Sequence, residues 1–387
     1  MLTFRLAREE DRTQLEDLWA YCFEPRENPF FQWYFKDCCQ VNNVLLGWDG
    51  ERLVCDTHLN PYTIRVRGKE MPSSYIVGLA THPAARSRGV GKQLLTAALE
   101  EMRRRGHWLN LLMPSKASFY QPYGWELYCH QWKESVDMTG LKDMGVKGEQ
   151  YAYIRDSKDW PWLAAVYEQY TAGLSGCTVR SEADWKRLLA GVFAEGGHCA
   201  AVFEHGRPTG YILYSLGSPT IVCSEFVYTT RKAKQSLLYY LYNHRSQGER
   251  VQWNEGLQDQ TYRLYGDGKQ GHETMPFMAG RVVDAEHALA AVAYEADGSC
   301  MVALEDPLAE WNCGTFRLTA AGGAGIAERT EDTPQIRMDI GALALLLFGA
   351  MTAKELVYCG RADGEEEAVS WLTRALPKKD TYVNEWY

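Results

Sequence analysis

Positive charge is what this chain is short of. Its 41 Lys and Arg face 50 Asp and Glu, a net charge of -9, which argues against a surface that neutralises nucleic-acid phosphates and mildly favours a cationic partner. Long apolar runs are missing too. The most apolar stretch, Ile340 to Met351, falls short of the ~18 residues a membrane-spanning helix needs. Met1-Leu-Thr-Phe-Arg passes directly into a strand pattern, so no signal peptide is expected. None of the 11 cysteines forms a C-x-x-C pair. That predicts free thiols in a reducing cytoplasm, a structural role for the adjacent Cys38 and Cys39, and no metal site. Low-complexity tracts are absent and 46% of residues are hydrophobic, so the chain can bury proper cores. At ~150 residues per domain, a length of 387 predicts two or three domains.

The most informative stretch present is Val77-Gly-Leu-Ala-Thr-His-Pro-Ala-Ala-Arg-Ser-Arg-Gly-Val-Gly-Lys92 with the residues after it. Val77 to Thr81 reads as a strand, Pro83 breaks it, and Gly89 and Gly91 open a helix. That helix carries Val90, Leu94, Leu95, Ala98 and Met102 on one face. Its other face offers Glu100 to Arg104 and Glu101 to Arg105 at i,i+4, with Gly106 as a stop. A strand, a glycine turn and a helix N-terminus flanked by arginines suit a phosphate. A Walker A loop is ruled out, because Arg86 stands at its first glycine and Gln93 at its Ser/Thr. A dinucleotide fingerprint fails at Leu94, where its third glycine belongs. What remains is R-x-x-G-x-G, as Arg86-Ser-Arg-Gly89-Val-Gly91, which resembles the coenzyme A pyrophosphate loop of GNAT acyltransferases. By itself the loop also fits an ordinary turn between a strand and a helix.

The surroundings extend the resemblance over the first third of the chain. A strand at Leu2 to Leu6 precedes an amphipathic helix from Glu9 to Cys22. Hairpins are predicted across Asp49-Gly50 and Arg67-Gly-Lys69. After the loop and helix come a buried strand at Trp108 to Met113, a short helix from Pro114-Ser115 to Tyr120, and strands through Trp132. The middle third repeats this order in worn form: a hairpin turning at Gly206, a strand from Ile221 to Tyr228, a helix from Lys234 to Arg245, and a strand at Val251 to Trp253. Its loop, Thr229-Thr-Arg-Lys-Ala-Lys-Gln235, has no glycine, so its backbone cannot readily approach a pyrophosphate. An unrelated α/β domain is the alternative there. Near Met278 to Leu289 a third unit begins that resembles the sterol-carrier-protein fold, ending in an aromatic tail through Tyr387.

This order of parts resembles the enhanced-intracellular-survival family of N-acetyltransferases. The fold expected is α/β (α+β): a catalytic GNAT domain at 1–135, a degenerate GNAT-like domain at 136–284, and a sterol-carrier-like domain at 285–387. The resemblance implies acetyl-CoA as co-substrate, with Leu79, Ala80 and Thr81 bonding its pantetheine and thioester. Arg86, Ser87, Arg88, Gly89, Val90, Gly91 and Lys92 would hold the pyrophosphate, and Ser115 and Lys116 would lie beside the thiol end. Tyr120 falls on the family's general acid, since a phenol is protonated at neutral pH and can donate to a thiolate. A core aromatic is the competing reading. No His–Asp pair or Glu of the first domain declares itself as base. The family uses its C-terminal carboxylate, which here belongs to Tyr387.

Phe23, Glu24, Trp33 and Tyr34 would line the acceptor site, where aromatic walls and a carboxylate suit a cationic amine such as a polyamine or aminoglycoside. A homo-oligomer, a hexamer built as a trimer of dimers, is implied as well. Two other classes stay open: a lipid- or sterol-binding module, and a scaffold with a vestigial coenzyme A site.

Overall fold

The computed structural model describes residues 2–387. The chain divides into two compact units: residues up to Cys129 together with Leu174–Val179 and Phe277–Tyr387, and a second unit of His130–Gly173 with Arg180–Pro276.

In the first unit the opening strand β1 (Thr3–Leu6) leads through α1 (Arg12–Cys22) and α2 (Pro29–Trp33) to β2 (Val44–Asp49), β3 (Arg52–Val66) and β4 (Lys69–Thr81). The apolar residues of α1 recur at helical spacing, and Leu15, Leu18 and Trp19 are buried. Helix α2 starts on Asn28, whose side chain accepts from the Phe30 amide, and continues into a wider, π-type turn at Tyr34–Cys38. The two predicted hairpins are one meander of long strands: β3 pairs with β2 over Arg52–His58 and with β4 over Cys55–Val66. Arg67 and Gly68 both take positive φ at the tip, which suits the right-handed twist of the flanking strands. Next come α3 (Val90–Arg104), β5 (Leu109–Leu112), α4 (Ala117–Tyr120) and β6 (Glu126–Asp137). On α3, Val90, Leu94, Leu95, Ala98 and Met102 face the core as expected. The charged face differs in one pair: Arg104 and Arg105 both engage Glu101, at 2.7 and 2.6 Å, leaving Glu100 out.

Order in this sheet runs β1-β2-β3-β4-β5, then the strand His272–Val282. Residues Ala279–Val282 pair antiparallel with Leu112–Leu109, so the strand at the start of the Met278–Leu289 stretch lies beside β5. Alternation could not reveal this, because a strand's periodicity says nothing of its partner.

The rest of the first unit is a five-stranded sheet, ordered Ala324–Thr330, Gly314–Ala321, Gly298–Glu305, Ile336–Asp339, Ala362–Gly364. Its helix Ile340–Phe348 is buried at all nine positions. Arg67 donates to the last carbonyls of that helix, from Nε to Leu347 O at 3.0 Å and from Nη2 to Leu346 O at 2.7 Å.

The second unit carries strands in the order Glu126–Asp137, Arg250–Gly256, Thr220–Tyr228, Arg207–Ser215, His198–Glu204, Gln150–Ile154. As with β4 and β5, two of its strands pair in parallel, Thr220–Cys223 with Arg250–Trp253. A buried Arg180–Glu225 pair, with bonds of 2.9 and 2.8 Å, sits inside it, and Tyr211 donates to the same carboxylate at 2.9 Å.

Candidate active site

The site begins where two strands part. β4 and β5 pair in parallel only at Ser73–Tyr75 with Leu109–Leu111, while Ile76–Thr81 continues beside β3 alone. A bulge at Gly78 marks the departure: its φ is +62°, and a Cβ there would stand 2.5 Å from the Trp19 ring. Past the splay, Ala84 N donates to the His82 side chain at 3.3 Å, and Arg86 folds back, its Nε donating to Thr81 O at 3.0 Å. Ser87 has φ +62° and Gly89, N-cap of α3, has φ +71°. Because glycine offers no capping side chain, the first amides of α3 are left to point outward at the positive end of the helix dipole.

A cavity of about 540 Å³ occupies this opening. Leu79 and Thr81 line it from β4; Arg86, Ser87, Gly89, Val90, Gly91 and Lys92 from the loop and helix; and Ser115 and Lys116 from the segment after β5. Arg86, Lys92 and Lys116 put three cations on the wall, and among the described residues no carboxylate lines it. In a chain of net charge -9 that local excess is selective for an anion. Two of the twelve residues expected there stand elsewhere: the Ala80 side chain is buried, and Arg88 is exposed off the wall. Alternation along β4 turns Ala80 away from the face shared by Leu79 and Thr81. Phe119 and Tyr123 complete the lining.

Tyr120 closes the same cavity. Burial pushes its phenol up to about 12, so the hydroxyl holds its proton across the neutral range. Its ring lies 6.3 Å from that of Trp125, whose Nε1 donates to Asn110 Oδ1 of β5 at 2.6 Å. Asn110 in turn donates to Ser74 O of β4 at 2.9 Å, so Tyr120 is tied to the point where the strands part.

Tyr387 reaches that point from the other end of the chain. The tail is buried from Tyr382 to Glu385. Ser175 and Tyr382 fix it through Ser175 N to Asp380 O at 2.9 Å and Tyr382 N to Ser175 O at 3.1 Å. Thr178 donates to Glu385 Oε1 at 2.5 Å, Tyr75 to Glu385 O at 3.3 Å, and Trp386 packs 4.6 Å from Phe277. The Tyr387 ring stands 5.1 Å from Tyr75, 5.9 Å from Tyr34 and 6.4 Å from Trp33, and its hydroxyl is 2.5 Å from that of Tyr62. Of the four expected acceptor residues, Trp33 and Tyr34 therefore gather at Tyr387. Phe23 and Glu24 group with Trp19, by a ring contact of 4.8 Å and an indole bond of 3.1 Å to Glu24.

Sequence reasoning missed Tyr62 and Tyr75, hidden among 23 tyrosines. It also missed Asp56, Thr57 and His58, a polar interruption in the apolar run Leu53 to Leu59. All three are fully buried on β3. His58 Nδ1 lies 2.9 Å from the Tyr34 hydroxyl, and burial holds His58 down to about 3, hence neutral. Burial likewise raises the Asp56 carboxyl well above the usual carboxylate range.

The second unit offers a contrast at the corresponding helix, Arg231–Tyr242. Its N-cap Thr230 accepts from Ala233 N at 2.9 Å, and Lys234 is buried between Asp259 and, at 3.5 Å, Glu255. The amide and the cation that could meet a phosphate are already engaged.

Comparison with known proteins matches residues 3–128 and 176–282 to acetyltransferase (GNAT) domain models and residues 285–384 to a sterol carrier protein domain. The chain is a GNAT N-acetyltransferase of Eis-like architecture. A Streptomyces avermitilis protein described as an uncharacterized N-acetyltransferase is 23% identical over 360 residues, 88% of this chain and 87% of that one. Among solved structures, a GCN5-related N-acetyltransferase from Anabaena variabilis matches with a TM-score of 0.88 at 18% identity, covering both chains fully. Eis1 from Mycobacterium abscessus matches with a TM-score of 0.78 at 17% identity, again over both whole chains. For the acetyltransferase, the GNAT fold implies acetyl-CoA as co-substrate. No helix among its described residues is long and apolar enough to cross a membrane.

Proposed function

We propose that this acetyltransferase moves an acetyl group from acetyl-CoA to a primary amine of a small cationic acceptor, polyamine- or aminoglycoside-like. The observation that carries the reading is the cationic, carboxylate-free cavity between the splayed strands, with the uncapped start of α3 at one side and Tyr120 at the other.

In this reading the α3 amides, Arg86 and Lys92 hold the pyrophosphate, and the open edge of Leu79–Thr81 holds the pantetheine and thioester. The free amine attacks the thioester carbonyl carbon, and the C–N bond forms as the carbonyl electrons move to oxygen. When the tetrahedral intermediate collapses, the C–S bond breaks and Tyr120 gives its hydroxyl proton to the departing thiolate. The proton lost by the amine passes through a water to the Tyr387 α-carboxylate. With a pKa of ~3.5, that group is too weak a base to take it directly from an ammonium. The products are the N-acetyl amine and free coenzyme A, and the proton taken up by the Tyr387 carboxyl returns through solvent to the Tyr120 phenolate. The rings gathered around Tyr387 favour an acceptor carrying further positive charge.

The test is thiol release from acetyl-CoA across a panel of polyamines, aminoglycosides and simple alkylamines. Amine-dependent release that favours polycations is expected. No release above hydrolysis with any amine would remove the reading.

A further inference from the structure

The turn that carries Tyr120 is too short to hold itself in place. α4 has four residues, the next turn, Gln121–Tyr123, has three, and Phe119 is exposed. What fixes its far end is Arg281, on the strand His272–Val282 and directly opposite Asn110 in register. Arg281 Nε donates to Tyr123 O at 2.9 Å, and its guanidinium lies 5.1 Å over the Trp125 ring, the ring beside Tyr120. Nη1 donates to Val282 O, and Nη2 donates to Asp306 Oδ1 at 2.6 Å.

Asp306 belongs to the sterol-carrier-like part and is itself held by the Leu308 and Ala309 amides at 3.0 Å each and by Asn312 at 2.9 Å. Both side chains of the ion pair are fully shielded from solvent. A buried ion pair of this kind is weak as a stabiliser, since well-packed apolar residues of the same volume often do as well. Its geometry supplies another reason for it, because the guanidinium joins three structures at fixed angles: the Tyr123 carbonyl, the Trp125 ring and the Asp306 carboxylate.

We propose that Arg281, oriented by Asp306, is a positioning residue for Tyr120, so that the sterol-carrier-like part sets where the proton-donating hydroxyl stands. The inference rests on the reading of Tyr120 as general acid.

Arg281→Lys keeps the charge and can reach Asp306, but it loses the planar fork that also serves Tyr123 O. Steady-state kinetics with acetyl-CoA and an amine turned over by the unaltered chain should show kcat down about tenfold, a part of what a general acid supplies. The acetyl-CoA KM should stay within about twofold, because the phosphate-binding loop is untouched. In a Tyr120→Phe background the same substitution should cost nothing further in kcat. Losses that multiply in the double variant would overturn the positioning role while leaving Tyr120 as acid. So would Arg281→Lys with unaltered kcat. Tyr120→Phe with full kcat would instead remove the acid reading and this inference with it. If thermal melting shows that Arg281→Lys does not fold, Asp306→Asn, equal in shape and without charge, takes its place in the same cycle with the same expected and overturning results.

Discussion

The hydroxyls of Tyr62 and Tyr387 lie 2.5 Å apart, so a residue in the first meander and the last residue of the chain share one hydrogen bond. That bond, with three neighbouring rings, holds Tyr387 in place.

Tyr62→Phe removes one hydroxyl and keeps the ring contacts. A hydrogen bond of this kind is worth about 1 kcal/mol. The expected result is a kcat several-fold lower with an unchanged acetyl-CoA KM. Adding residues beyond Tyr387 should abolish turnover while coenzyme A still binds, as read by calorimetry. An extended chain with full activity would discard the C-terminal carboxylate as base.

Tyr120→Phe should lower kcat by about a hundredfold or more, the usual contribution of a general acid. In the parent, burial holds this phenol near 12, above the ~10 of a free tyrosine. Because the protonated form is the active one, kcat should stay level past pH 10 and fall only as the pH nears 12. An alkaline limb centred near 10 would show that the titrating group is a different, solvated one.

Gly89→Ala should act on cofactor binding. Nothing stands within 4 Å of the new Cβ, but φ is +71°, and an L-residue pays about 1–2 kcal/mol there. The loop is expected to relax away from this conformation, raising the acetyl-CoA KM at least several-fold with little change in the acceptor KM. Arg86→Ala, which frees Thr81 O, should raise the same KM.

In the second unit, burial raises the Glu134 carboxyl to about 8, and the Tyr265 hydroxyl donates to it. A pKa raised above the unfolded value of ~4.5 means that the protonated form contributes stability below that value. This contribution is lost as pH rises through 8. Glu134→Gln stays neutral throughout. Its melting temperature should therefore gain on the parent between pH 5 and pH 9, the largest advantage coming at the alkaline end.

Local signals carried much of this fold. The period of Val90 to Met102 and the positions of Gly89 and Gly91 defined α3 and its start, because those features act within one or two turns. The loop residues also declared themselves, since close backbone approach to a ligand needs glycine at fixed offsets. What stayed hidden depends on distant partners. Nothing around Met278 tells that Ala279–Val282 will lie beside β5. The roles of Tyr62 and Tyr75 depend on a tail more than 300 residues away. No local signal marks Arg281 as buried, and its place is set by the register opposite Asn110.

The first unit closes only when residues from three separate stretches have met: those up to Cys129, Leu174–Val179, and Phe277–Tyr387. A fragment ending near Tyr128 would hold the whole Arg86–Lys92 loop yet leave the outer edge of β5 without its strand, an open template for association with other chains. During synthesis β5 must wait for some 170 further residues before that edge is covered. Ribosome-bound chains should therefore need protection over that interval, and premature termination anywhere in it should yield aggregates instead of a smaller working enzyme.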